Sequence, residues 1–168
     1  PTRLPSLEPT RLPTLVPTPS PTIARDPDHE VDFRGCSDAS ATADTGVDGS
    51  GITATATNGA SCSSEGMVFD GSDDYVDVTP WPFGGEAMTV EAYVKYNAFN
   101  LHSPIFDFAD GDDDDSVRLE NGGGNPDRGN FIVFDGSSSK SLGTQNFWEL
   151  STWVHVVGTV DSTTMKLY

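Results

Sequence analysis

Alternation of apolar and polar positions is the dominant pattern along this chain, and it predicts strands. Tyr75-Val76-Asp77-Val78 places Tyr75 and Asp77 on one face and Val76 and Val78 on the other. Met67-Val68-Phe69 precedes it, and the Asp70-Gly71-Ser72-Asp73-Asp74 turn between them predicts a hairpin, because such residues hydrogen-bond their own backbone. Met88 to Tyr96 reads as a long strand of β-branched and aromatic residues. Ile105 to Phe108, Val117 to Leu119, Phe131 to Phe134, Trp153 to Val160 and Met165 to Tyr168 read the same way. Val31 to Arg34 predicts a short first strand, and Ile52 to Thr57 another before the tight-turn pair Asn58-Gly59. Trp81-Pro82-Phe83-Gly84-Gly85 reads as a rigid turn. No amphipathic helical stripe appears. The expected fold is all-β, an antiparallel two-sheet sandwich.

The N-terminal region has a different texture. Pro1, Pro5, Pro9, Pro13 and Pro17 recur with a period of four, interleaved with Thr2, Ser6, Thr10, Thr14 and Thr18. Proline lacks the amide donor that helices and ladders need, so residues 1–27 are expected to be an extended, disordered tail. Its composition fits a glycosylated stalk or an unmodified linker. Residues 28–168 are then the folded domain.

Charge narrows the partners. The net charge is −17. Residues 1–25 hold Arg3, Arg11 and Arg25 against Glu8, a net +2, so the remainder carries −19. Such a body does not bind nucleic acid by phosphate neutralisation and is repelled by anionic membrane surfaces. No apolar run reaches the roughly 18 residues of a membrane span. The first residue is Pro1, and the last residues read as an unfinished strand, so the chain is expected to be part of a longer multidomain protein.

Cys36 and Cys62 are the two cysteines, and both have small polar neighbours. Buried free thiols sit among apolar residues, so this setting favours a disulfide, worth roughly 3–4 kcal/mol by loop closure. A disulfide points to an oxidising, extracellular or cell-surface location.

Three stretches carry a resemblance: MVFDGSDDYVDV from Met67, MTVEAYVKY from Met88, and WVHVVGTVDSTTMKLY from Trp153. Their order resembles the concanavalin A-like lectin/glucanase superfamily, specifically its laminin-G-like jelly rolls. The second resembles the family's central strand, with an aromatic near Tyr93 ahead of Lys95, and the third its Trp-x-His-Val strand. The resemblance spans residues 66–168, with a weaker match back to Val31. It implies a jelly roll whose C-terminal strands lie beyond Tyr168. It also implies binding of glycans or extracellular protein surfaces, in many members with calcium. A spacer or scaffold module is the alternative, since fold does not assign a ligand.

Candidate chemistry follows from that. The acidic run Asp110 to Asp115 suits Ca²⁺ by charge and oxygen donors but fails as an EF-hand loop, with Asp115 in place of glycine and Asn121 in place of glutamate. Pentraxins share the jelly roll and place calcium ligands just before the strand corresponding to Val117, which implies Asp114 and Asp115 as metal ligands. A solvated acidic loop is the competing reading. Asp73 and Asp74 are explained by turn formation alone. Laminarinase-like glycosidases need two carboxylates about 5–5.5 Å apart. Here Glu91 stands on its strand with Lys95, and no Glu-x-Asp-x-Glu motif occurs. The chain is therefore expected not to be an enzyme. His155 reads as a hydrogen-bonded structural residue, with no nucleophile motif beside it. Among the tryptophans, Trp153 is expected in the core among its valines, and Trp148 as the exposed platform for a sugar ring.

Overall fold

The computed structural model describes residues 29–34, 36, 42–43, 52–81, 87–109, 115–122 and 124–168. Among them every regular element is a strand, in the order β1 (Thr42–Ala43), β2 (Thr53–Thr57), β3 (Ser61–Ser63), β4 (Gly66–Val68), β5 (Tyr75–Val78), β6 (Ala87–Lys95), β7 (Pro104–Ala109), β8 (Ser116–Asn121), β9 (Gly129–Phe134), β10 (Ser139–Thr144), β11 (Trp153–Asp161) and β12 (Met165–Leu167). The Pro-rich tail and the Pro82–Gly85 turn lie outside the described residues.

Two antiparallel sheets form the sandwich: β10-β9-β8-β7 and β12-β11-β6. Smaller sheets, β1-β2-β5 and β3-β4, complete the set. Each inner face follows from the period of two. On β6, Met88, Val90, Ala92 and Val94 point inward, while Ala87, Thr89, Glu91 and Tyr93 are exposed. β11 pairs with it in register, Val94 opposite Val154, Ala92 opposite Val156 and Met88 opposite Val160. From the other sheet come Val117 and Leu119 of β8 and Phe131 of β9, and Trp148 closes the same core. Phe131, Leu119 and Val156 are fully buried. Removing a side chain of this size from water stabilises by roughly 1.5–3 kcal/mol. The all-β, antiparallel sandwich is thus present.

Gly158 lies on the inner face of β11, opposite Val90. A Cβ there would come 3.0–3.2 Å from three ring atoms of Phe131. The ring of one sheet fills the gap that this glycine leaves in the other.

Polar groups tie the edges. The Tyr96 hydroxyl donates to the Ser103 carbonyl at 3.0 Å. Burial, with the charge of Glu120 adding to it, pushes that phenol well above its ordinary pKa. The fully buried Asn121 accepts from the Ser103 amide at 2.6 Å and donates to the Asn100 carbonyl. Asn58 and Gly59 have φ of 60° and 125°, and the Ala60 amide closes that turn on the Thr57 carbonyl.

Two expectations need correction, and one strand, β10, was not foreseen. Met67–Val78 does not close on itself as a hairpin: β4 pairs with β3, and β5 pairs with β2. The Asp turn forms, but it redirects the chain between sheets. The Tyr75/Asp77 alternation survives, now set against β2. Val31 makes only an isolated bridge, because Arg34 folds back onto Asp32 with three side-chain hydrogen bonds. β10 went unpredicted, since Ser139-Lys140-Ser141-Leu142-Gly143-Thr144 contains a lone large apolar residue.

Candidate functional site

Cys36 and Cys62 are bonded, with Cα atoms 5.6 Å apart. This matches the sequence expectation and pins the segment around Val31 to β3.

The β6–β11 pair presents its other face outward. Along β6 this face carries Thr89, Glu91, Tyr93 and Lys95, and along β11 Thr159, Val157, His155 and Trp153. Tyr93 and Trp153 are diagonal neighbours across the strands, and their rings stack with centroids 4.9 Å apart and planes 7° from parallel. The Lys95 ammonium sits 4.9 Å from the Trp153 ring centroid, a cation–π contact, and bonds Glu65 at 2.8 Å. That bond holds the Glu65 carboxyl below its ordinary pKa. Trp153 is half-buried beneath these contacts, whereas Tyr93 is 63% exposed. One step along the same diagonal, His155 Nε2 lies 3.1 Å from Glu91 Oε2. His155 is therefore hydrogen-bonded, and it is an outward residue. The arrangement offers a large aromatic surface rimmed by donors and acceptors of both charges.

Two tryptophans exchange the places expected of them. Trp148 is 4% exposed, not a platform. It packs edge-on to Phe147 and Tyr96, and its indole N–H donates to the Arg128 carbonyl at 3.1 Å. Its location outside a strand says nothing about exposure: Phe147 and Trp148 pack on the core while Gln145, Asn146, Glu149 and Leu150 around them are exposed. Trp153 faces out because Val154, Val156 and Val160 take the opposite parity. That parity was legible in the sequence.

The acidic candidates are distributed differently. Asp114 lies outside the described residues; Asp115 is exposed, with φ of 52°, immediately before β8. Asp70, Asp73 and Asp74 place ligand oxygens within 4.8 Å of one another, the sole such group among the described residues. That spacing is compatible with the oxygen shell of Ca²⁺. The same residues build the turn: Asp74 accepts from the Asp70 amide at 2.8 Å, Asp70 accepts from the Ser72 amide at 2.7 Å, and the Asp73 carbonyl accepts from Asn58. Asn100 donates to the Gly71 carbonyl at 2.9 Å, fastening the turn to the loop before β7. Among the described residues no helix is long and apolar enough to cross a membrane.

A laminin-G-type family model, described as the Concanavalin A-like lectin/glucanases superfamily, matches residues 70–168. No curated protein and no solved structure matches the chain.

Proposed function

Because the chain belongs to the concanavalin A-like lectin/glucanase superfamily, we propose that it is a non-catalytic extracellular module that recognises carbohydrate. The observation that carries this is the Tyr93–Trp153 stack on the outward face of β6 and β11. An exposed ring accepts the apolar C–H face of a pyranose, and the neighbouring Glu91, His155 and Lys95 supply hydrogen bonds to its hydroxyls. The family and the Cys36–Cys62 disulfide support an oxidising location. The non-catalytic part is supported by Glu91 being the lone acid among Thr89, Glu91, Tyr93 and Lys95 on the outward face of β6, where a retaining glycosidase needs a pair about 5–5.5 Å apart.

Calcium belongs to the proposal as an accessory, with Asp114 and Asp115 as its ligands. Calorimetry with Ca²⁺ on the protein and on Asp114→Ala/Asp115→Ala tests that part, and equal affinity removes these residues from it. A glycan array with and without chelator tests the main reading. Binding that Tyr93→Ala abolishes is the expected result. Binding to no sugar in either condition overturns it in favour of a protein partner or a scaffold role. Turnover of a β-glucan abolished by Glu91→Gln overturns the non-catalytic part.

A further inference from the structure

The chain holds two Asn-Gly pairs, Asn58-Gly59 and Asn121-Gly122. In such a pair the side-chain amide is open to attack by the next backbone nitrogen, because glycine brings no Cβ to shield that nitrogen and lets the backbone rotate. The fold treats the two pairs in opposite ways.

Asn121 is fully buried. Its carboxamide oxygen accepts from the Ser103 amide at 2.6 Å, and its nitrogen donates to the Asn100 carbonyl. The Gly122 amide, the nitrogen that would attack, donates to the Arg128 carbonyl at 2.8 Å. Both reacting groups are held, and Asn121 ends a β8 that is paired on both sides, with β7 and with β9. Releasing them requires that sheet to open.

Asn58 and Gly59 are exposed. They stand at the open end of the β2–β5 ladder, one step beyond the pair Thr57 and Tyr75. Among the described residues the Asn58 side chain is held by a bond from Nδ2 to the Asp73 carbonyl at 3.1 Å, and a 3.3 Å bond from the Ala60 amide to the Thr57 carbonyl closes the turn. The turn also demands these two residues. Asparagine tolerates the left-handed φ of 60° at position 58, and φ of 125° at Gly59 calls for glycine. A Cβ on Gly59 would fall 2.9 Å from Asp74 Oδ1. The labile pair is thus built into the connection between β2 and β3, on the surface.

We propose that Asn58 is a site of hydrolytic deamidation and Asn121 is not. The Gly59 nitrogen bonds to Asn58 Cγ, the Cγ–Nδ2 bond breaks, and the amide proton leaves with Nδ2 as ammonia, giving a cyclic imide. Water then opens the ring at either carbonyl. One product is an aspartate. The other is an isoaspartate, in which the main chain runs through the side-chain carbon. Neither step is a redox step. Both products lose the donor to the Asp73 carbonyl and add a negative charge beside Asp74. The isoaspartate also lengthens the turn by one backbone carbon. The β2–β5 ladder therefore loosens from this end.

Ageing the full chain at neutral pH with its disulfide intact, followed by peptide mapping with mass spectrometry and isoaspartyl methyltransferase labelling, tests the site. Asn58 is expected to convert at least tenfold faster than Asn121 in the folded protein. In urea, where the fold no longer separates them, the two should convert at similar rates. Equal rates in the folded protein, a faster Asn121, or an Asn58 that converts in urea alone overturns the assignment. Hydrogen exchange at the Thr57 and Tyr75 amides is expected to quicken in the aged protein. Protection there equal to that of fresh protein overturns the loosening of the ladder.

Discussion

Gly158→Ala is the most direct test of how the two sheets meet. The added methyl would come 3.0, 3.1 and 3.2 Å from Phe131 Cε2, Cζ and Cδ2, tighter than ordinary van der Waals contact. Phe131 is fully buried, with Leu119 and Val156 at 0% exposure in the same cluster, so the ring has little room to retreat. Overpacking of this kind costs about 1–3 kcal/mol. A gain opposes it, because Gly158 is not among the positive-φ residues and alanine there reduces unfolded-chain entropy by about 0.4–1 kcal/mol. The clash wins, leaving a net loss of roughly 0.5–2 kcal/mol. Urea unfolding followed by tryptophan fluorescence should show a lower midpoint at unchanged slope. Phe131→Leu, which removes the ring atoms that meet the added methyl, should relieve part of the penalty, giving a coupling above about 0.5 kcal/mol in the double-mutant cycle. A midpoint that rises in Gly158→Ala, or two strictly additive substitutions, would refute the interlocking of Phe131 with Gly158.

Trp148→Phe should cost about 1–3 kcal/mol, because it removes the indole bond to the Arg128 carbonyl, which keeps only the Gly122 amide, and leaves a gap in the buried core; Trp153→Phe should cost less than about 1 kcal/mol. A reversed ranking in urea unfolding would contradict their placement. Reduction of Cys36–Cys62 should lower stability by roughly 3 kcal/mol, measured as the difference in urea midpoint with and without dithiothreitol; an unchanged midpoint would show that the cross-link does not constrain the unfolded chain. Hydrogen bonds from the Ser138 amide, then from Ser137, hold the Asp135 carboxyl at about 2 against an ordinary 3.8, and Thr163 and Thr164 hold Asp161 lower still. The unfolded chain therefore binds more protons in this window. Stability from both groups is fully present above about pH 4 and falls as pH drops toward 2, a slope that Asp135→Asn should reduce in acid titrations monitored by circular dichroism.

How much of this was legible depends on whether a feature is local. β6 and β11 could be read directly, since alternation of β-branched residues fixes both existence and facing. The same parity placed Trp153 outward, and weighing only its immediate neighbours obscured that. β10 is an edge strand whose outward and inward positions are nearly all small or polar, so it left no periodic trace. The pairing of β5 with β2 is a choice between distant partners, and the Asp-rich turn beside it could only report its own geometry. On the β10-β9-β8-β7 sheet, Glu120 and Arg118 are ordinary polar positions in sequence. Only the fold shows Glu120 to be buried against His102, and Arg118 Nε and Asn130 Oδ1 to be buried without a hydrogen-bond partner. Asp114 lies outside the described residues, so its part in a metal site stands as proposed.

The Cys36–Cys62 bond also sets where the domain takes mechanical load. A pull applied on the N-terminal side reaches Cys36 and passes through sulfur straight into β3, bypassing the chain between the cysteines. That bypassed chain includes β2, whose ladder to β5 is thereby spared the load. While oxidised, the bond keeps that ladder out of the line of tension; once reduced, the ladder lies in it.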